Sequence, residues 1–234
     1  MKHPIWWALG AGVAVVVAAF VPPLWQTLQR APGPASGAAA EQGLPWQVQP
    51  LPDGSARVMG IHLGVDTLAQ AQARVGDNLQ LALVARLGEV GALEALAEPF
   101  AAGFVSGRLV LAFDVPPATL ARWRAAVSGS TPMDGGVRRF SLRAADLAEA
   151  RAMPLAGLSF VPGVRLSEDD VRQRFGPPAS VQALDGGGQL LRYPALGLAA
   201  TVAPGQRGLL QYVAPRDMAA RLGAVPVGAT TRAP

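Results

Sequence analysis

The hydrophobic pattern begins with an uncharged run at residues 5–21, which Trp6 and Trp25 bracket. A helix between these two tryptophans would rise about 28 Å, close to the roughly 30 Å thickness of a bilayer's hydrocarbon core. Tryptophan is also enriched at membrane interfaces. The pattern therefore predicts that residues 1–25 form a transmembrane anchor, with residues 5–21 inside the membrane.

The charge before this run sets the predicted orientation. Lys2 and the amino terminus mark the cytoplasmic side, so the protein is expected to be a single-pass membrane protein with its C-terminal domain exported. A cleavable signal peptide with a small-residue site at residues 17–19 is the alternative, and it also exports the rest of the chain.

Residues 26–45 are mostly small or proline-bearing and lack apolar periodicity, which predicts a flexible linker. From Trp46 to Val58 apolar and polar positions alternate around Pro52-Asp53-Gly54. That tripeptide is a turn signal, so a first hairpin or lead-in strand is expected there.

A helix and three strands are predicted next and complete a first unit at residues 46–115. Thr67 and Gln70 have the spacing of a capping box, and Gly76 supplies a helix stop. Three apolar runs separated by glycine-bearing breaks follow, LQLALVARLG, ALEALAEPF and GRLVLAFDV. They predict a three-stranded antiparallel meander.

A second unit, at residues 158–218, repeats this pattern about a hundred residues later. Ser167 matches Thr67 as the cap, and its helix likewise ends at a glycine, Gly176. Three strands are expected in SVQAL, in QLLRY or GLAATV, and in LLQYVAP. Residues 116–157 are predicted to be a helical connector with one short strand, VRRFSL, and residues 219–234 a disordered tail.

The predicted fold class is therefore α+β. An N-terminal transmembrane helix is followed by two tandem units, each a helix plus a three-stranded antiparallel sheet, with a helical connector between them.

The residue composition argues against several kinds of partner and functional site. The net charge is only +4, and the arginines are scattered without forming a stripe, which indicates no nucleic-acid partner. The chain has no cysteine, and His62 is the only histidine outside the anchor region, so neither a thiolate nor a histidine-rich metal shell can be built. No cofactor, metal or catalytic residue is predicted, and the acidic run Glu168-Asp169-Asp170 is interpreted as helix capping.

Three functions remain open. The leading hypothesis is a non-enzymatic interaction or assembly module that binds another envelope or inner-membrane protein. Its predicted contact residues are Arg192, Tyr193 and Tyr212, although core packing is the alternative for the tyrosines.

The second hypothesis is an envelope hydrolase, or its regulator, that uses carboxylates such as Asp66, Asp114 or Asp169. The third is a module that binds a small ligand or lipid between sheet and helices.

The segment LSEDDVRQRFGPP, followed by a glycine-led meander, resembles the BamE (SmpA/OmlA) proteins of the bacterial envelope. The resemblance implies a helical layer over a three-stranded antiparallel sheet, and the beta-lactamase inhibitor proteins are similar to a tandem version. BamE-like proteins are lipidated on a cysteine and lie at the outer membrane. This chain has no cysteine, so from the resemblance it is expected to stay at the bacterial inner membrane, with its C-terminal domain in the periplasm. A second resemblance, to uncharacterised proteobacterial membrane proteins, implies no activity. The BamE resemblance depends on Val171, Phe175, Gly176 and Pro177. The resemblance to the uncharacterised membrane proteins depends on Tyr193-Pro194, Gly197-Leu198 and residues 210–215.

Overall fold

The structure is a computed structural model that describes residues 43–127 and 129–223. These residues form an α+β fold with one ten-stranded antiparallel sheet, one three-stranded sheet and five α-helices.

The strands are β1 Gln49–Pro50, β2 Ala56–Val58, β3 Ile61–Leu63, β4 Gln80–Arg86, β5 Ala92–Ala102, β6 Val105–Phe113, β7 Thr131–Pro132, β8 Val137–Phe140, β9 Leu155–Pro162, β10 Ser180–Ala183, β11 Gln189–Tyr193, β12 Leu198–Val202 and β13 Leu209–Val213. The helices are α1 Leu68–Val75, α2 Pro117–Ala126, α3 Leu147–Arg151, α4 Glu168–Phe175 and α5 Met218–Leu222.

The small sheet opens with the hairpin that the turn signal predicted. The Leu51 amide donates to the Ser55 carbonyl at 2.8 Å, and Gly54 has φ of 76°, a value that glycine adopts readily. Strand β2 then pairs with both β1 and β3. The prediction of a first hairpin is confirmed.

Helices α1 and α4 begin at matching capping boxes. Thr67 and Ser167 each accept a hydrogen bond from the amide three residues later, and the side chains of Gln70 and Asp170 bond back to the cap amides. Both helices span eight residues and stop at a glycine with positive φ. The predicted boundaries of these two helices are confirmed.

The large sheet corrects the predicted tandem arrangement. Its strand order is β10-β11-β12-β13-β9-β6-β5-β4-β8-β7, so strands from both predicted units lie in one sheet. The joining strand is β9, which pairs with β13 on one side and β6 on the other. The prediction of two separate three-stranded sheets is wrong, and the second meander contains four strands, because QLLRY and GLAATV each form one.

The core lies between one face of this sheet and the layer formed by α1, α2, α4 and the small sheet. Its largest fully buried side chain is Trp123 of α2, and Phe160 and Tyr212 contribute from β9 and β13. Helix α5 includes residues 219–222, the first four residues of the segment predicted as a disordered tail. Its Met218 packs on the opposite face of the sheet.

The predicted transmembrane helix also needs correction. Along the described part of the chain, no helix is both long and apolar enough to cross a bilayer. Residues 5–21, to which the span was assigned, lie outside the described residues. The single-pass topology and the inner-membrane location depended on that helix, and the structure does not support them.

Candidate functional site: an aromatic cleft beside helix α4

A cleft of about 480 Å³ opens between helix α4 and the sheet, where β9 and β13 meet the start of β6. This volume falls within the range of small-molecule sites. The lining is mostly apolar and comes from widely separated parts of the chain. The lining residues are Pro45, Trp46, Phe104, Val105, Ser106, Phe160, Pro162, Gly163, Val164, Leu166, Asp170, Val171, Arg174, Phe175, Arg207 and Leu210.

The floor of the cleft is part of the hydrophobic core. Phe160 and Leu210 are directly paired in the sheet, and Val171 faces them from α4. All three side chains are buried. Because close-packed neighbours hold these side chains in place, the floor is a fixed apolar surface.

One wall is formed by Pro45 and Trp46, which precede the first strand and are held in place by a hydrogen bond from Tyr212. The Tyr212 hydroxyl donates to the Pro45 carbonyl at 2.8 Å. The ring is completely buried, and burial raises the pKa of this phenol well above its ordinary value. Tyr212 therefore holds the segment that carries Trp46 against the second meander, about 170 residues away in sequence.

Trp46 makes two further contacts. Its ring lies edge-on to Phe104, with 5.8 Å between the ring centroids, and the Arg174 guanidinium lies over it at 4.6 Å. Arg174 also donates to the Asp170 carboxylate at 3.2 Å. An aromatic wall is thus connected to the first turn of α4 by a cation–π contact and an ion pair.

Beside Trp46 lies the tip of the long β5–β6 hairpin, which carries Phe104. A register shift between Ala97 and Phe100 marks a bulge in β5, and bulges bend the strand that carries them. Phe104 at the tip is 65% exposed, and Val164, which also lines the cleft, is 60% exposed. Large apolar side chains are therefore left on the rim.

The three predicted contact residues are placed inside the fold. The Tyr193 hydroxyl donates to the Gly176 carbonyl at 3.1 Å, and its ring packs against Phe175. Core packing, the alternative interpretation for the tyrosines, describes both Tyr193 and Tyr212. Arg192 is 8% exposed and donates to Gln182 at 2.9 Å, and burial lowers the pKa of its guanidinium.

The three carboxylates of the hydrolase hypothesis do not line the cleft. Asp66 is buried and accepts the His62 amide at 2.8 Å, Asp114 pairs with Arg221 at 2.9 Å, and Asp169 is exposed in the first turn of α4. Among the described residues, no three His, Cys, Asp or Glu side chains gather as a metal site would require.

A serine–histidine contact occurs in the small sheet. The Ser55 hydroxyl lies 2.7 Å from His62 Nε2 and 2.6 Å from an Asp53 carboxylate oxygen. The carboxylate can only accept, so the Ser55 hydroxyl donates its hydrogen bond to Asp53, and His62 Nε2 is left as the donor to Ser55. A nucleophilic serine needs the reverse arrangement, in which histidine accepts, and Ser55 is also completely buried. The contact holds the hairpin turn together.

The second face of the large sheet holds a buried carboxylate that the sequence interpretation missed. Glu94 of β5 is 6% exposed, and its cross-strand neighbours Ala82 and Ala112 are small. Glu94 forms no hydrogen bond or ion pair with any described residue, and burial raises its pKa to about 8. Two cavities of about 30 and 20 Å³ adjoin it, and each has room for little more than a water molecule.

Comparison with known proteins adds no relative. No protein-family model, no curated protein and no solved structure matches the chain. The resemblance to the BamE-like proteins stays a prediction.

Proposed function

We propose that this protein is a non-enzymatic binding module whose cleft takes the apolar part of a small molecule. The observation that carries the proposal is the cleft of about 480 Å³ with a fixed apolar floor and aromatic walls. Sites of this size and lining bury most of a bound ligand, and the few polar groups at their edge orient it.

The polar groups of the cleft support binding better than catalysis. The described residues that line it supply one hydroxyl, one carboxylate and two guanidiniums, from Ser106, Asp170, Arg174 and Arg207, but no imidazole. Asp170 already accepts bonds from Ser167 and Arg174. Neither a base beside the hydroxyl nor a free carboxylate pair is available to assist a reaction there.

The test is a thermal shift of the full-length protein with octanoate and with octanamide. A ligand at a hundred times its Kd stabilises the folded state by about 2.7 kcal/mol, or about 5 to 10 °C for a chain of this size. In the blocking variant Val105→Trp, the indole is placed on the same strand face as Gly107, which lies directly against the Phe160 ring. The matched control is Val105→Ala.

We expect at least one probe to raise the melting temperature of the wild type and of Val105→Ala, but not that of Val105→Trp. A shift of equal size in all three proteins would show that the probe binds elsewhere. No shift with either probe would contradict the proposal.

A second candidate is the leading sequence hypothesis, binding of a partner protein. The side chains Phe104 and Val164, which both line the cleft and are both exposed, favour it, since exposed apolar patches are typical of interaction surfaces. A photocrosslinking phenylalanine analogue at position 104 should then give one discrete adduct that Val164→Glu removes. The same analogue at Leu87, which is 90% exposed but does not line the cleft, should give none. An identical adduct pattern from both positions would exclude the rim as the contact.

A further inference from the structure

The charges that line the cleft do not cancel. Asp170 is the single lining carboxylate among the described residues, against the two guanidiniums of Arg174 and Arg207. A ligand that enters the cleft therefore meets an excess of one positive charge.

Asp170 and Arg174 form an ion pair with each other. Asp170 accepts the Ser167 amide at 3.0 Å and the Ser167 hydroxyl at 2.7 Å, and these bonds hold the pKa of its carboxyl below the ordinary value. Its remaining oxygen accepts from Arg174 at 3.2 Å, while the Arg174 guanidinium also covers Trp46. This pair closes one part of the cleft and leaves no net charge.

Arg207 carries the excess. It is exposed in the loop between β12 and β13, and it forms no hydrogen bond or ion pair with any described residue. That loop, residues 203–208, contains no acidic side chain, and neither does the segment at residues 160–166 that lines the cleft. The Arg207 guanidinium can therefore donate hydrogen bonds to an acceptor group on a ligand.

We propose that the ligand is a single amphiphilic molecule whose apolar body lies against Phe104, Leu166 and Phe175, which line the cleft without being fully buried, and whose anionic head group binds Arg207. This inference rests on the proposed function and names the chemical class of the ligand. A guanidinium binds a carboxylate or a phosphate through charge-assisted hydrogen bonds, whereas an ammonium head group is repelled at the same position.

The test is calorimetric titration of the full-length protein at neutral pH with three probes that share one apolar chain. Octanoate is anionic, octanamide is its uncharged analogue of nearly the same shape, and octyltrimethylammonium is cationic. All are used below the concentrations at which they form micelles. The variant is Arg207→Gln, and the matched control is Arg151→Gln, an exposed arginine outside the cleft.

We expect the wild type to bind octanoate about tenfold more tightly than octanamide, and octyltrimethylammonium most weakly. Arg207→Gln should remove the tenfold preference by weakening octanoate binding alone, and Arg151→Gln should keep it. Equal binding of octanoate and octanamide, unchanged in Arg207→Gln, would overturn the inference and leave the proposed function standing. If Arg151→Gln weakened octanoate binding as much as Arg207→Gln, the preference would come from overall charge, which also overturns it. Failure of all three probes would overturn both.

Discussion

The buried carboxylate of Glu94 should make the protein less stable as the pH rises from 5 to 8. Its folded-state pKa is about 8, against an ordinary value of 4.5, because burial penalises the charged form. Between those two values the folded state binds more protons than the unfolded state. The free energy of unfolding therefore falls with increasing pH, and this loss is complete only above pH 8.

The magnitude follows from the two pKa values of Glu94. At about 1.4 kcal/mol per pKa unit, the shift corresponds to about 5 kcal/mol over the whole interval, and about 3 to 4 kcal/mol of that is lost between pH 5 and pH 8. Burial is the cause of the shift, and neither of the arginines that line the adjoining cavities, Arg221 and Arg139, forms an ion pair with Glu94.

Urea denaturation of the wild type and of Glu94→Gln, followed by circular dichroism at several pH values from 5 to 8, measures this contribution. The amide stays neutral, so the variant should lose about 3 to 4 kcal/mol less than the wild type over that range and be the more stable protein at pH 8. Glu98→Gln, an exposed change on the same strand, should keep the wild-type slope. Parallel stability profiles for the wild type and Glu94→Gln would refute the reasoning.

Three further predictions concern stability and the shape of the cleft. Ser167→Ala removes the cap of α4 and should cost about 1 kcal/mol by urea denaturation, whereas Ser167→Thr should cost little. Tyr212→Phe leaves the Pro45 carbonyl without its buried donor and should lower the free energy of unfolding by about 1 to 3 kcal/mol. It should also weaken octanoate binding in calorimetry. Unchanged binding would mean that this hydrogen bond does not position the cleft wall. Arg192→Met exchanges a buried guanidinium, whose Nε has no hydrogen-bond partner among the described residues, for an apolar chain. It should leave the melting temperature equal or higher, and a clear drop would contradict this.

Local features were predictable from the sequence because local contacts determine them. The caps at Thr67 and Ser167 satisfy helix amides through side chains three residues away, and the Pro52-Asp53-Gly54 turn closes a hairpin through nearby backbone bonds. These contacts form with little help from the rest of the fold, so short-range spacing is enough to predict them.

The joining strand was missed because its partners are distant in sequence. Strand β9, Leu155–Pro162, crosses the predicted boundary between connector and second unit. Seven of its eight residues are buried, and its sequence LAGLSFVP is apolar apart from Ser159, without regular alternation of apolar and polar positions. Such a run does not indicate which strands lie beside it, and β6 and β13 each come from a different predicted unit.

The burial of Glu94 was not predicted, for a related reason. In the run ALEALAEPF a charged side chain is expected to face solvent, as Glu98 does. Only the register of β5 with its neighbours and the cover over the second face reveal that Glu94 is buried. The cleft was equally invisible in the sequence, because its lining spans from Pro45 to Leu210 and no repeat or motif connects those positions.

The single sheet also changes what kind of function the chain can have. Pairing of β9 with β13 places Phe160 beside Leu210, and pairing of β9 with β6 brings the hairpin that carries Phe104 to the same place. Two independent sheets would leave these residues on separate bodies, and neither would enclose the cleft. The cleft is therefore a property of the junction between the two halves. A variant that disturbs β9 should affect binding and stability together, whereas Arg207, which is exposed and lies outside the sheet, should affect binding alone.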